Sequence, residues 1–134
     1  MTLIRKAEQR DIPGIVALIN QNLDKLLPRS HSDYSELIEN TWIAESEGAE
    51  GAEIVGCASL EVYSSKIAEI RSVAVRADLR GQGIGKLLVQ AAAAEARRRN
   101  IREIMVVTST PKFFQELGFG ACLDEKYALF LDGK

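Results

Sequence analysis

Two hydrophobic periods alternate along this chain and divide it into predicted helices and strands. Apolar residues recur at helical spacing between Ile12 and Leu26, directly after Asp11, a residue type that often caps helices. The segments TWIAES and AEIVGCASLEVY are rich in strand-forming residues and flank the polar, glycine-bearing EGAEG. This arrangement predicts a β-hairpin after the first helix.

The second half of the chain contains the pattern of one β-α-β unit. The strand IAEIRSVAV leads into a helix from about Gly85 to Arg99, and IREIMVVTS follows as a buried strand. PKFFQELG predicts a short helix, with proline near its start and glycine at its end, before a last strand, YALFLD.

A first strand at Thr2 to Lys6 and a short helix in SDYSELIEN complete the order β-α-α-β-β-β-α-β-α-β. This order predicts a mixed α/β fold in a single domain, residues 1–134. The central sheet should be antiparallel in its first half and parallel where the long helix crosses over. Helices should cover both of its faces.

Composition and charge limit the class of protein. With 46% hydrophobic and 27% charged residues, the chain is typical of globular proteins, and its net charge of −2 provides no positive field for nucleic acid. Cys57 and Cys122 lie far apart and His31 is the single histidine, so we expect free thiols and no metal site. No signal peptide or spanning segment is visible in the sequence, which predicts a cytoplasmic protein without a membrane partner.

The start of the long predicted helix carries three glycines at alternate positions, Gly81, Gly83 and Gly85. The first four amides of a helix have no partner within it, and the helix dipole acts there as roughly half a positive charge. Glycines allow a bulky anion to approach the backbone, and Arg80 and Lys86 add two formal charges beside it. The turn therefore predicts a phosphate or pyrophosphate site.

Two well-known glycine motifs do not match this turn. A Walker A loop has four residues between its glycines and Ser or Thr after its lysine, whereas Gly81 and Gly85 enclose three residues and Leu87 follows Lys86. The dinucleotide fingerprint needs a different last spacing and an acidic residue after the next strand, where this chain has Thr108. A plain turn without a ligand would not need three glycines and two cations, which cost stability.

The segment RGQGIG, with the strand EIRSVAV before it and the long helix after it, resembles the (R/Q)-x-x-G-x-(G/A) motif of the GNAT acetyltransferases. The resemblance covers nearly the whole element order and implies acetyl-CoA as the co-substrate. It implies that loop amides hold the pyrophosphate, that the preceding strand pairs with the pantetheine arm, and that PKFFQELGF flanks the thioester. The cofactor-binding residues so implied are Val73, Ala74, Val75, Arg80, Gly81, Gln82, Gly83, Ile84, Gly85, Lys86, Phe113 and Phe114.

A finer resemblance is to the acetyltransferase domain of the N-acetylglutamate synthase branch, carried by LLPRS, SSKIAEIRSVAV and FFQELGF. It implies that Arg29 and Lys66 contact the carboxylates of an amino-acid substrate, and Arg71 and Thr108 complete the expected substrate-binding set. The chain departs from the branch at Ser109, where the branch can carry arginine. Glutamate is the expected acceptor, which would connect the protein with arginine biosynthesis.

Acetyl transfer from a thioester requires a neutral amine, so a base is useful. Glu69 begins the strand that would line the thioester channel and is the candidate base, although a strand-edge glutamate can also simply face solvent or pair with Arg71. Many relatives carry a tyrosine that protonates the departing thiolate, but the matching residue here is Phe114. We therefore expect solvent to protonate the thiolate.

The sequence thus predicts an acetyl-CoA-dependent N-acetyltransferase that acts by direct transfer to the primary amine of a small amino acid. Two alternatives stay open: another amine as acceptor, such as a peptide N-terminus, or a domain that binds acyl-CoA as a sensor without turnover. The predicted edge strand YALFLD could pair between two subunits, which would give a homodimer.

Overall fold

A central β-sheet organises the part of the chain that the structure describes. The computed structural model describes residues 2–22, 37–49, 51–123, 126–127 and 129–133. Within these ranges five strands form one sheet in the order β1-β2-β3-β4-β5. Their bounds are Thr2–Lys6, Thr41–Gly48, Gly51–Val62, Ile67–Val75 and Glu103–Val106. The first three pairings are antiparallel and β4 pairs with β5 in parallel, so the predicted mixed sheet is confirmed.

Helices pack on both faces of this sheet, as the sequence predicts. On one face α1, Ile12–Asn20, buries Ile12, Ile15 and Ile19 against residues that include Ile43 and Cys57. On the other face lie α2, Ile84–Arg98, and the short α3, Pro111–Gln115. Each helix turns one apolar face toward the sheet, so a separate hydrophobic cluster forms on each side of it. The helical period and the strand period in the sequence mark the residues that meet in these clusters.

The long helix α2 lies close to the sheet at one glycine. A Cβ atom at Gly56 would lie only 2.9 Å from Cδ1 of Leu88 and 3.3 Å from the Cβ of Ala44. Glycine in β3 therefore lets α2 approach the strands closely, which fixes the position of its N-terminus relative to β4.

The predicted cap of α1 occupies the expected position but makes different bonds. Asp11 is the residue before the helix and is buried, yet its side chain does not cap α1. Its carboxylate instead accepts hydrogen bonds from the Glu8 amide at 2.7 Å and from Arg5 at 2.8 Å. The Arg5 guanidinium and the Glu8 amide hold the pKa of Asp11 below its ordinary value, against the opposing effect of burial.

The end of the chain differs from the prediction. The structure has two-residue strands β6, Cys122–Leu123, and β7, Lys126–Tyr127, which pair with each other. Among the described residues of the predicted strand YALFLD, Tyr127 alone belongs to a strand, since residues 129–133 form none. High strand propensity alone does not make a strand, since its backbone also needs a partner. The homodimer that depended on this strand stays a prediction.

Four further predicted elements are shorter than expected or lie partly outside the described residues. The strand predicted over residues 101–109 is formed only at Glu103–Val106, and the helix predicted over PKFFQELG ends at Gln115. The first predicted helix, expected to reach Leu26, ends at Asn20. Residues 23–36, which hold the rest of its predicted range and most of the helix in SDYSELIEN, lie outside the described residues. Ile38–Asn40 forms a single 3₁₀ turn.

Strand β4 loses its pairing with β5 about halfway along its own length. Ile67 to Ile70 pair with Glu103 to Val106, and the rest of β4 has no partner in β5. A bulge begins where they separate: Ser59 pairs with Arg71 and Cys57 with Ala74, so β4 carries one extra residue. Ser72 in this bulge has a φ of 55°, in the left-handed region. Because a bulge bends its strand, β4 leaves β5 and a cleft opens between them.

Candidate active site

The cleft between β4 and β5 is bounded by the start of α2 and by α3 and has a volume of about 920 Å³. It brings together side chains and backbone from segments that are far apart in the sequence. The predicted site residues that line it are Glu69, Arg71, Val73, Ala74, Val75, Arg80, Gly81, Gly83, Ile84, Gly85, Lys86, Thr108, Phe113 and Phe114.

Two of the described site residues do not belong to this lining, and a third predicted residue lies outside the described ranges. Gln82 is exposed within the glycine turn and does not line the cleft. Lys66 is exposed in the turn before β4, where its carbonyl accepts a hydrogen bond of 2.8 Å from the amide of Glu103. Arg29 lies outside the described residues.

The start of α2 presents free backbone amides to the cleft. Gly83 is the N-cap residue with a φ of 87°, and it makes no side-chain capping bond. The amide of Leu87 bonds to the carbonyl of Gly83 at 3.1 Å, so the three amides before it have no partner in the helix. Gly81 also has a positive φ, 83°, which a residue with a Cβ adopts only at a cost. The turn can therefore hold an anion on its backbone.

The narrow part of the cleft depends on Gly85. A Cβ atom there would lie 3.3 Å from Cζ of Phe113 and 3.6 Å from Cγ2 of Val75. Phe113 packs edge-on against Phe114, with 4.9 Å between ring centroids, and Phe114 packs in the same way on Phe119. The absence of a side chain at Gly85 thus keeps space open between β4 and an aromatic wall.

Arg80 is held in place by groups from two other elements. Its Nε donates to the carbonyl of Val75 at 3.2 Å, and its Nη2 donates to Oδ1 of Asn22. Asn22 is buried, and its Nδ2 donates to the carbonyl of Leu18 at 2.7 Å. The end of α1 therefore fixes a cation beside the glycine turn. The sequence carries no signal for this contact, because the two residues are 58 positions apart.

At the other end of the cleft, Glu69 and Arg71 on β4 belong to a cluster of four polar residues, together with Glu61 on β3 and Tyr63, the residue after β3. Glu69 is largely buried, with 13% of its side chain exposed. The hydroxyl of Tyr63 donates to Oε1 of Glu69 at 2.5 Å and approaches Oε2 of Glu61 at 3.3 Å. Arg71 donates from Nη1 to Oε2 of Glu61, and its Nε lies 4.0 Å from Oε1 of Glu69.

The hydrogen bonds in this cluster change two acid–base equilibria. The bond to the Glu69 carboxylate, with some burial, raises the pKa of Tyr63 to about 12. The Glu61 carboxylate, and more weakly the charge of Glu69, hold the pKa of Arg71 above its ordinary value. Tyr63 is thus a neutral hydrogen-bond donor, and Arg71 a permanent cation, over the physiological range of pH.

Tyr63 and Glu61 are absent from the predicted site. Both could have been found from strand alternation, because Glu61 and Tyr63 are two residues apart and Glu61 is the register partner of Glu69. Neither Glu61 nor Tyr63 belongs to a sequence motif, and only the pairing of β3 with β4 brings them close to Glu69.

The described ranges contain no group of three or more His, Cys, Asp or Glu that could hold a metal ion. They also contain no helix with the length and hydrophobicity needed to span a lipid bilayer.

The sequence of this chain matches a known protein family. Residues 3–119 match the acetyltransferase (GNAT) family. The chain belongs to this family. Among curated GNAT relatives, the amino-acid acetyltransferase of Mycobacterium tuberculosis is 33% identical over 118 residues, which are 87% of this chain and 67% of that protein.

Solved GNAT structures share the fold. Rv2747 from Mycobacterium tuberculosis, in complex with CoA and NLQ, superposes with a TM-score of 0.82 and 31% identity over 90% of this chain and 73% of that one. The N-acetylglutamate synthase of Neisseria gonorrhoeae, complexed with coenzyme A and N-acetyl-glutamate, gives 0.81 and 30% over 94% of this chain but only 30% of that one. The chain is therefore an acetyl-CoA-dependent N-acetyltransferase of the GNAT type, as its glycine motif predicts.

Proposed function

We propose that this GNAT protein binds acetyl-CoA in the cleft between β4 and β5 and acetylates the α-amino group of a small amino acid, with glutamate as the preferred acceptor. One observation carries the proposal. The same cleft has uncapped helix amides with two cations at one end and a largely buried carboxylate, Glu69, at the other. These are the two groups that an acetyl transfer from CoA to an amine requires.

The residues at the first end fit the pyrophosphate of CoA. The free amides at the start of α2 would donate to its oxygens, and Arg80 and Lys86 would balance its charge. Positive φ at Gly81 and Gly83 leaves no side chain between backbone and anion. A ligand that crosses the narrow passage between Val75 and Phe113 would reach the unpaired part of β4, whose backbone groups can bond to the amides of a pantetheine arm.

At the second end, Glu69 would act as the general base. The acceptor nitrogen bonds to the acetyl carbon while the carbon–sulfur bond breaks, and the nitrogen's proton passes to Glu69, directly or through water. The CoA thiolate leaves and takes a proton from solvent, because Phe114 offers no hydroxyl. Tyr63 remains a donor to Oε1, which holds the carboxylate in one orientation.

The acceptor class is supported by the relatives and by the charges around the cleft. The Mycobacterium tuberculosis relative is an amino-acid acetyltransferase, and the Neisseria gonorrhoeae enzyme is complexed with N-acetyl-glutamate. Arg71 lines the cleft and could bind a substrate carboxylate. Lys66 stands outside the lining, and Arg29 keeps its proposed role from the resemblance alone.

One observation favours a second acceptor class. Arg71 already donates to Glu61, so a substrate carboxylate would have to compete with that side chain. A neutral acceptor, such as a peptide N-terminus or an uncharged amino acid, meets no such competition.

The experiment is a measurement of thiol release from acetyl-CoA with a panel of amines: glutamate, glutamine, aspartate, alanine and a short peptide. We expect the highest kcat/KM for glutamate. Glu69→Gln should lower kcat by about 10²- to 10⁴-fold without changing the affinity for CoA. Glu53→Gln is the matched control, because Glu53 on β3 pairs with Arg76 at 2.8 Å outside the cleft.

Three outcomes would contradict the proposal in different ways. Faster turnover with the peptide than with free amino acids would establish the second acceptor class. CoA binding without thiol release for any amine would indicate a sensor. Full activity of Glu69→Gln would remove Glu69 from the mechanism.

A further inference from the structure

Two carboxylates face each other across β3 and β4 at the acceptor end of the cleft. Glu61 and Glu69 are direct register partners in this antiparallel pair. The Cβ atoms of such partners lie about 4.5–5.5 Å apart, and like charges at this separation destabilise a sheet. Arg71, two residues after Glu69, is the cation among the described residues that relieves this repulsion.

Arg71 is bound unequally to the two carboxylates. Its Nη1 donates a hydrogen bond to Oε2 of Glu61, whereas its Nε stays 4.0 Å from Oε1 of Glu69, beyond hydrogen-bond distance. Glu61 does not line the cleft, while Glu69 and Arg71 do. The ion pair is therefore directed away from the candidate base and toward a residue behind the cleft wall.

We propose that Glu61 is a positioning residue that holds Arg71 away from Glu69 and so keeps the Glu69 carboxylate available to accept a proton from the acceptor amine. This inference rests on the proposed function, in which Glu69 is the base. It assigns to Glu61 a role in the reaction although Glu61 does not line the cleft.

The physical reason is the effect of a guanidinium on a neighbouring carboxylate. An arginine at hydrogen-bond distance stabilises the charged form of a carboxylate and so makes it a poorer proton acceptor. Without Glu61, Glu69 would be the remaining carboxylate within reach of Arg71 among the described residues. Tyr63 is uncharged and occupies Oε1 of Glu69, while Oε2 accepts no hydrogen bond from the described part of the chain. Glu61 would thus preserve one free oxygen on the base.

The kinetic test compares four proteins: wild type, Glu61→Gln, Arg71→Met and the double variant. In Glu61→Gln we expect kcat to fall about tenfold, while the KM for acetyl-CoA stays unchanged. This fall is smaller than the roughly 10²- to 10⁴-fold that a general base contributes, because Glu69 itself is still present. In the double variant kcat should stay within about threefold of that of Arg71→Met, because without the guanidinium Glu61 has nothing to hold away from Glu69. Any role of Arg71 in binding the acceptor would appear in the acceptor KM instead.

The control is again Glu53→Gln, which breaks a cross-element Glu–Arg pair at 2.8 Å without touching the cleft. It should leave kcat unchanged. If Glu61→Gln lowers kcat about tenfold in the Arg71→Met background as well, Glu61 does not act through Arg71 and the inference is overturned.

A crystallographic test does not depend on activity. In Glu61→Gln the guanidinium of Arg71 should move from 4.0 Å to hydrogen-bond distance, about 2.8 Å, from the carboxylate of Glu69. If Arg71 keeps its distance, the inference is overturned whatever the kinetics show. A wild-type protein that acetylates no amine would refute the proposed function instead, and the position of Arg71 in the variant would still decide whether Glu61 holds it.

Discussion

The hydroxyl of Tyr63 donates a 2.5 Å hydrogen bond to Oε1 of Glu69, joining the residue that follows β3 to the candidate base on β4. Because Tyr63 is half exposed, its hydrogen bond to the Glu69 carboxylate raises its pKa more than burial does. This contact makes the acid–base behaviour of the acceptor end accessible to measurement through a tyrosine.

We predict that Tyr63 loses its proton only near pH 12. The hydrogen bond to Glu69 raises its pKa to about 12, above the value near 10 of an unfolded chain. The stabilisation it contributes is therefore fully present below about pH 10 and is lost as the pH rises from 10 to 12. Phenolate absorbance should show one late-titrating tyrosine among the three in the chain.

Two variants control the assignment. Tyr63→Phe should remove the late transition, and Glu69→Gln should move it toward pH 10, because the charged acceptor is gone. The contact would be disproved if the wild-type protein showed all its tyrosines titrating together near pH 10.

Gly83→Ala should lower the affinity for CoA in addition to lowering the stability of the fold. At a φ of 87° alanine costs about 1–2 kcal/mol of stability, although a Cβ there would meet nothing within 4 Å. Gly51, with a φ of 110° and equally open space in the β2–β3 hairpin, provides a matched alanine variant away from the cleft. Thermal unfolding and calorimetric titration with CoA should show similar losses of stability but a loss of affinity in Gly83→Ala alone. Equal affinities would contradict a role of this turn in holding CoA.

Asn22→Ala should lower CoA affinity by acting through Arg80. Loss of one hydrogen bond to a charged group is worth about 1.5–3 kcal/mol, which sets an upper limit of roughly 10- to 100-fold. A double-mutant cycle with Arg80→Ala should be non-additive, since both variants disturb one contact. Affinity for a short acetyl thioester without pyrophosphate should not change. Additive losses, or an equal loss with the short thioester, would show that Asn22 acts on the fold in general.

Phe114→Tyr should not create a catalytic acid. Phe114 is 5% exposed and packs between Phe113 and Phe119, so a hydroxyl there would be buried without an evident partner. We expect a loss of about 1–3 kcal/mol of stability and a change in turnover of less than a hundredfold. Phe113→Tyr is the control, because Phe113 is only partly buried and its hydroxyl could reach water. A hundredfold rise in turnover of Phe114→Tyr would show that solvent does not protonate the thiolate adequately.

Much of the fold and half of the candidate site could be predicted from the sequence because those features are local. Periods of 3.6 and 2 located α1, α2 and strands β1 to β4, since each period reflects which face of one element is buried. The start of α2 was also predictable, because Gly81, Gly83 and Gly85 act through their own backbone and through a helix that begins immediately after them.

The contacts at the acceptor end were decided by tertiary structure alone. Arg71 can reach Glu61 because the register of β3 against β4 places Ser59 opposite Arg71 and Glu61 opposite Glu69. The hydrogen bond from Arg80 to Asn22 depends on the position of the end of α1 relative to the sheet. The strand propensity of YALFLD was overridden in the same way, because a strand requires a neighbour that no local pattern guarantees. Short-range periodicity determines which residues are buried together within an element, whereas the pairing of charges across elements is set only when the chain has closed its long loops.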